Sequence, residues 1–428
     1  MRELLRNGSF MRLFCGRLVT NAGDSLYYIA AMWLVYQLTG SAAFTGVAGF
    51  LTTAPSAIQF LFGPLVDRTP LRRVLVGTQL AQGILVLVIP IAAALDALSV
   101  WVVLTVMPLL SLLNQPVYPA ESAALPRIVE REELVEGNSL FALAYQGADA
   151  AFNAVGGLLV AALGAVTLFL VNSLTFGIAT LLFATLSIPA AGTDNDETKQ
   201  TATASETAAD GGRPTAANDS PASYLADLQE GIEFLRGTIV AKLLVGAAVV
   251  NFSIGGVMAV LPAYADVLGG ASAYGLLTAA IGTGMLIGAL VGSAVRRFPF
   301  GRVVALGMAG SAMLWVGAVA VNWLPASALL FALALVPAGV TNVLVISLVQ
   351  ALVPDGLLGR VTAVLGSASA AMTPVGALVG GAVAGATSAT LVLWAAGASF
   401  ALLALYVFAV PSLRRLPEIS EVSTLTAK

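Results

Sequence analysis

Four carboxylates stand inside, or at the edge of, long apolar runs in this chain: Asp24, Glu121, Asp149 and Asp266. An ionisable group among apolar neighbours is costly, and it faces a cavity or a partner. Asp24 and Asp149 fall near the midpoints of their runs, whereas Glu121 and Asp266 lie towards ends. The chain has no histidine and one cysteine, Cys15. Carboxylates are therefore the natural proton carriers, and an imidazole shuttle, a disulfide framework or a Cys/His metal site is excluded. The carboxylates are scattered singly, with no paired metal-ligand set and no nucleophile beside a base. No catalytic residue, no metal and no cofactor is expected, and the chain reads as something other than an enzyme.

Polar residues recur beside these carboxylates. Arg17 and Asp24 are seven residues apart, nearly on one helical face but about 10 Å apart along the axis, so they cannot pair directly within one straight helix. Arg17 suits an anionic ligand group or Asp149, and it equally suits an inner-end arginine snorkelling to the interface. Asp149 shares a face with Gln146 and Asn153. Asn114, Tyr118 and Glu121 follow i, i+4, i+7 spacing. Together with Asn21, Tyr28, Asn251, Asn342 and Gln350, these side chains form the expected lining of a cavity, the alternative for each Asn or Gln being a hydrogen bond between neighbouring helices. Asp24 and Asp149 are the expected proton-coupling residues.

The elements that must position them are membrane-spanning helices. Of 428 residues, 58% are hydrophobic and 10% charged, and the mean hydropathy is +0.91. A soluble domain carries about 25% charged residues, so this chain cannot cover a water-facing surface. Twelve runs reach the roughly 20 residues needed to cross a bilayer: 11–37, 43–65, 74–95, 98–124, 138–163, 165–188, 240–265, 272–295, 303–322, 325–351, 361–385 and 388–410. The runs are continuous rather than alternating, which excludes a β-barrel. With both termini cytoplasmic, all 20 basic residues fall in inner loops, termini or inner ends of spans, as the positive-inside bias requires. The expectation is a monomeric, multi-pass protein of the cell membrane, all-α, with the lipid bilayer as partner. Nucleic acid is not expected, since no basic stripe exists to neutralise phosphates.

Residues 190–222 are polar and without apolar periodicity, as in GTDNDETKQTATASETAADGGRPTAANDSPA from Gly192, and read as a disordered cytoplasmic linker. Residues 223–237 repeat Tyr224, Leu225, Leu228, Ile232 and Leu235 at helical spacing and read as an amphipathic surface helix. Residues 1–189 and 238–411 then form two six-helix halves, and 412–428 a cytoplasmic tail. The halves repeat each other: the segment Gly63 to Val74 aligns without a gap on Gly292 to Val303, and Asn114 meets Asn342. Repeats of this kind place a binding site at the bilayer midplane between the halves. The glycine patterns around Gly282 and Gly284, and from Gly376 to Gly385, lack the strand of a dinucleotide fold and read as helix packing.

The run Phe10 to Arg17, the segment Asn21-Ala-Gly23-Asp24-Ser25, Trp33-Leu34 and Thr39-Gly40-Ser41 resemble the opening of the major facilitator superfamily, in its branch of macrolide-efflux and enterobactin-exporter-like proteins. Pro119-Ala120, Asn138-Ser139-Leu140, Leu261-Pro262 and the Pro354 to Arg360 loop extend the likeness over nearly the whole chain. Gly63, Asp67, Arg68, Arg72 and Arg73 resemble its signature loop, which implies a conformational lock between states. Glu121 stands where the branch tends to have arginine. The resemblance implies a secondary active transporter that exports a hydrophobic or amphiphilic small molecule, of drug or siderophore type, by alternating access coupled to protons. Import, coupling to sodium and a transport-inactive sensor or scaffold are the alternatives.

Overall fold

The computed structural model describes residues 4–62, 66, 68–130, 133–189, 233, 235 and 237–418. Each of the twelve expected runs is a helix, and there is no strand among the described residues. The first six spans are Gly8–Thr39, Ala42–Thr53 continued by a 3-10 helix Ala54–Phe62, Leu71–Val86 with Val88–Ala94, Val100–Asn114 with Val117–Ile128, Leu134–Leu163 and Ala165–Ala184. The second six are Ile239–Gly269, Ala271–Val295, Phe300–Ala320, Leu324–Leu352, Asp355–Ala370 with Met372–Ala386, and Ala389–Ala409. Among the described residues, nine of these are long and apolar enough to cross a membrane on those criteria alone. The first span is long enough too, but it carries Arg12, Arg17, Asn21 and Asp24.

Spans three, four and eleven are each interrupted once, and proline explains where. A proline lacks the amide hydrogen and crowds the carbonyl four residues earlier. Pro90 therefore breaks the third span at Val86 and Leu87, Pro119 the fourth at Gln115, and Pro374 the eleventh at Ala370 and Ala371. The break at Gln115 and Pro116 separates the segment that carries Asn114 from the one that carries Glu121.

The third span of each triplet faces outward. Leu80, Ile84, Leu174, Leu181, Leu306, Met313, Leu402 and Leu405 on spans three, six, nine and twelve are all exposed, as an acyl-chain environment favours. The expected linker between spans six and seven lies outside the described residues, as does most of the expected surface helix. Leu235 of the expected surface helix is described and is buried with Val240, Val349, Val353, Val361 and Val364.

The two halves meet only partway through the membrane. Towards the side away from the linker, one apolar core runs through both halves and contains Trp33, Val35, Ala42, Tyr264, Tyr274 and Ala384. Towards the linker side the first half has a core of its own, around Phe10, Leu75, Leu125 and Phe183; in the second half the shared core continues to Phe300, Leu413 and Leu416, beside a smaller cluster around Val240 and Val361. Hydrogen bonds between the halves follow the same division: Tyr36 donates to Asp266 at 3.3 Å, and Thr45 donates to the Ala259 carbonyl, both near far-side ends. Backbones touch at Gly157 with Gly275 and at Gly46 with Gly381, where a Cβ on any of the four would overlap the opposing helix. This is the small-residue contact by which helices approach closely in a membrane. Among the described residues, the contacts between the halves are thus concentrated on the far side.

Candidate functional site

Span one and the second segment of span four are tied together at the linker-side membrane face. Asn7 caps the first span by accepting from the Ser9 and Phe10 amides at 3.0 and 3.1 Å, and it donates from Nδ2 to the Ile128 carbonyl at 2.8 Å. Phe10 and Phe14 both pack edge-on against Phe141 of span five. With the ends pinned, Arg17 lies about 13 Å up the first span and Glu121 about 10 Å up the fourth, at 1.5 Å per residue. The two side chains therefore meet.

Arg17 Nε lies 2.7 Å from Glu121 Oε2, with both side chains buried. Tyr145 of span five completes the group: its hydroxyl donates to Glu121 Oε2 at 2.6 Å and accepts from Arg17 Nη2 at 2.6 Å and Nε at 3.0 Å. Longer contacts of 3.4 Å run from Arg17 to Thr20 Oγ1 and Asn21 Oδ1. The guanidinium also lies 5.1 Å from the Tyr145 ring centroid. A buried charge survives when it is paired and its remaining hydrogen bonds are met, and this triad joins spans one, four and five.

Beside the triad is a cavity of about 440 Å³ lined by Arg17, Asn21, Asp24, Gln59, Asn114, Gln115, Tyr118 and Tyr145. Asp24 stands within electrostatic reach of Arg17. The cavity lies on the linker side of the far-side contacts, since Trp33 and Tyr36, which help form them, follow Asp24 by two to three turns on the same helix.

Of the residues expected from sequence, the structure brings Arg17, Asn21, Asp24, Asn114 and Tyr118 to this one cavity. Glu121 stands behind Arg17 rather than in the wall. Tyr28 is partly buried and packs against the core that joins the halves. Asn251, Asn342 and Gln350 line a different recess, of about 330 Å³, between spans seven, ten and eleven; there Thr373 donates to Asn251 Oδ1 at 3.3 Å. The side chains of Gln146, Asp149 and Asn153 lie outside the described residues, as do Gly63 and Asp67 of the signature loop. Arg68, Arg72 and Arg73 are exposed on the linker side. Sequence reasoning passed over Tyr145 and Gln59. For Tyr145 a signal existed: tyrosine favours the membrane interface, and this one lies deep in a span, one turn before Asp149.

Comparison with known proteins follows the same architecture. Residues 13–370 match the Major Facilitator Superfamily description. The multidrug efflux pump Tap of Mycolicibacterium fortuitum is 24% identical over 425 residues, covering 96% of this chain and 98% of that one. Among solved structures, a bacterial homolog of the human lysosomal transporter Spinster, in an inward-facing and occupied conformation, superposes with a TM-score of 0.70 at 12% identity, over 95% of this chain and 97% of that one. The nucleoside transporter NupG gives 0.69 at 12% identity, over 94% and 98%. At those identities the two structures speak for the fold alone.

Proposed function

Since the chain belongs to the Major Facilitator Superfamily, and is therefore a membrane transporter rather than an enzyme, we propose that it exports hydrophobic or amphiphilic small molecules in exchange for protons. The observation that supports this reading is the placement of Asp24 in the wall of a cavity that lies on the linker side of the described contacts between the halves. The positive-inside bias puts the linker in the cytoplasm, so the cavity loads from the side an exporter must load from. The full-length likeness to a multidrug efflux pump supports the same direction.

The transport cycle needs two states and a ligand that prefers one of them. In the state described here the far-side contacts hold the halves together and the cavity admits substrate. Parting of those contacts, with closure at the linker side, would present the same cavity to the outside. Asp24, with Asp149 on span five, is the proposed proton carrier: a proton taken up from outside removes the charge that a loaded substrate had faced, and the substrate leaves. Asp67 with Arg68, Arg72 and Arg73 is proposed to latch the linker side in the outward-open state, a contact made in one conformation only.

Everted membrane vesicles test this reading. An inside-acidic pH gradient should drive accumulation of a fluorescent amphiphile in vesicles that contain the protein and not in those without it. Accumulation that follows a sodium gradient instead would replace the coupling ion. Accumulation only in right-side-out vesicles would reverse the direction.

A further inference from the structure

We propose that the linker-side end of the second half holds an anionic phospholipid of the cytoplasmic leaflet, its phosphate read by Lys242, Arg302, Arg414 and Arg415 and one acyl chain lodged in an apolar cavity between spans seven, nine, ten and twelve. The proposal goes beyond the exporter reading and needs neither its direction nor its coupling.

The site is built where three spans and the chain's tail come together. Spans seven and nine start at this face, at Ile239 and Phe300, and span twelve finishes there at Ala409. The chain then turns back under the bundle: Pro411–Arg414 forms one short helical turn, Leu413 is buried, and the Phe300 amide donates to the Pro417 carbonyl at 3.3 Å. Gly301 packs so closely on the Leu413 and Arg414 carbonyls that a Cβ would overlap them. Lys242 Nζ donates to Ser412 Oγ at 2.8 Å. These contacts bring Lys242 of span seven, Arg302 of span nine, and Arg414 and Arg415 of the tail to one place.

Charge at that place is unbalanced. Ser412 is neutral, and an ammonium carries three donors, so the Lys242 charge is unmatched. Arg302, Arg414 and Arg415 are exposed, and none of the four cations forms an ion pair among the described residues. Against them, Glu418 is the one carboxylate that spans seven, nine and twelve and the tail bring to this face among the described residues. The positive-inside bias requires cations on this side, but not that they gather unpaired around one opening. The Arg414 guanidinium lies 5.2 Å from the Phe408 ring centroid, and Phe408 is exposed on span twelve. That guanidinium therefore stands at the lipid edge, at the depth of the headgroups.

The second observation is a cavity of about 120 Å³ that leads inward from these cations. Lys242 lines its linker-side end, and Leu243, Val250, Val304, Met308, Leu403 and Val407 form much of its wall. The lining runs from Phe300 to Met308 on span nine, about 12 Å of helix at 1.5 Å per residue. An apolar void of this kind stays dry and forfeits contacts along its lining, so a hydrocarbon chain is its natural occupant. No residue of spans one to six lines it, which sets it off the path between the halves. Cations at the mouth and an apolar bore behind them match an anionic amphiphile, and basic pockets between spans on the cytoplasmic side suit phospholipid headgroups. The bound lipid ties the tail to spans seven and nine.

The test counts bound phospholipid by native mass spectrometry of the purified full-length protein in a neutral detergent. The probes are phosphatidylglycerol, zwitterionic phosphatidylcholine with the same chains, and glycerol phosphate, which carries the anion without chains. Wild type should hold one phosphatidylglycerol at least about tenfold more tightly than phosphatidylcholine, one decade in Kd, and should bind glycerol phosphate more weakly than phosphatidylglycerol. Lys242→Gln, Arg302→Gln, Arg414→Gln and Arg415→Gln combined should erase the preference, with the lipid-free thermal midpoint showing that the variant is folded. Lys242→Arg should keep it. Arg6→Gln with Arg127→Gln, which removes cations from the same face of the first half, should leave it intact. Val250→Phe fills the cavity without touching a charge and should weaken phosphatidylglycerol several-fold. A preference that survives the combined change, or that falls equally in the first-half control, overturns the proposal. So does unchanged lipid affinity in Val250→Phe, or glycerol phosphate binding as tight as that of the lipid, which would make this a site for free phosphate.

Discussion

The indole of Trp33 on span one stacks on the ring of Tyr274 on span eight, centroids 5.8 Å apart and planes 22° from parallel. This contact crosses from one half to the other, and it lies about 14 Å beyond Asp24 on the same helix, nine residues at 1.5 Å each. One helix thus carries both a cavity carboxylate and part of the seal above it.

The seal depends on glycine at Gly157 and Gly275, whose backbones touch. A Gly157→Val substitution should prop the far side open. With Cys15 replaced by alanine and spin labels placed at Ser41→Cys and Ala271→Cys, the distance distribution should shift to longer values, and transport should fall at least about tenfold, the effect of tilting a two-state balance by roughly 1.4 kcal/mol. An unchanged distribution would mean that the helices re-pack without opening.

Removing Glu121 should be costly. Glu121→Leu leaves the Arg17 charge buried and unpaired, which costs about 3–5 kcal/mol, read as a lowered thermal midpoint in detergent. The double change Arg17→Met with Glu121→Leu should recover most of the loss. Equal instability of the single and double variants would show that the residues do not act as a pair.

Tyr145→Phe deletes one hydroxyl that both donates to the carboxylate and accepts from the guanidinium. Hydrogen bonds to charged groups are worth about 1.5–3 kcal/mol, so this variant should be destabilised less than Glu121→Leu. A double-mutant cycle between the two positions should give a coupling energy clearly different from zero.

The architecture was legible because bilayer physics leaves so few options. Hydropathy fixes twelve runs, and arginine segregation sets their alternation. The span breaks were legible only in part: Pro90, Pro119 and Pro374 each follow a break by about four residues, but Pro108, Pro262 and Pro337 lie inside continuous helices. The site was legible only along single helices. Arg17, Asn21 and Asp24 share a face by periodicity alone, and they do line one cavity. What periodicity cannot supply is the height at which two helices meet. That Arg17 faces Glu121 fits the Asn7 cap bonding Ile128, whereas Asn114 lines the cavity and Glu121 does not. Tyr28 continues the polar stripe of span one, yet it packs into the joint between halves, because the helix passes from cavity to seal within one turn.

The latch proposed at Asp67 has its own test. Asp67→Asn should leave the protein inserted and its thermal midpoint within a few degrees of wild type, while transport slows several-fold, because the lost carboxylate biases one state rather than the fold. Wild-type transport by this variant would remove the latch from the mechanism.

The most direct measurement is gradient-driven transport in proteoliposomes containing wild type or Asp24→Asn, with protein-free liposomes as the baseline, a fluorescent amphiphile as cargo and the internal pH recorded by a trapped dye. Above that baseline, wild type should move the amphiphile against its gradient when a pH gradient is imposed, with protons moving in the opposite direction at a fixed ratio. Asp24→Asn should return both fluxes to the baseline. Amphiphile movement by wild type with no proton flux above the baseline, or undiminished exchange by Asp24→Asn, would contradict proton-coupled export through this cavity.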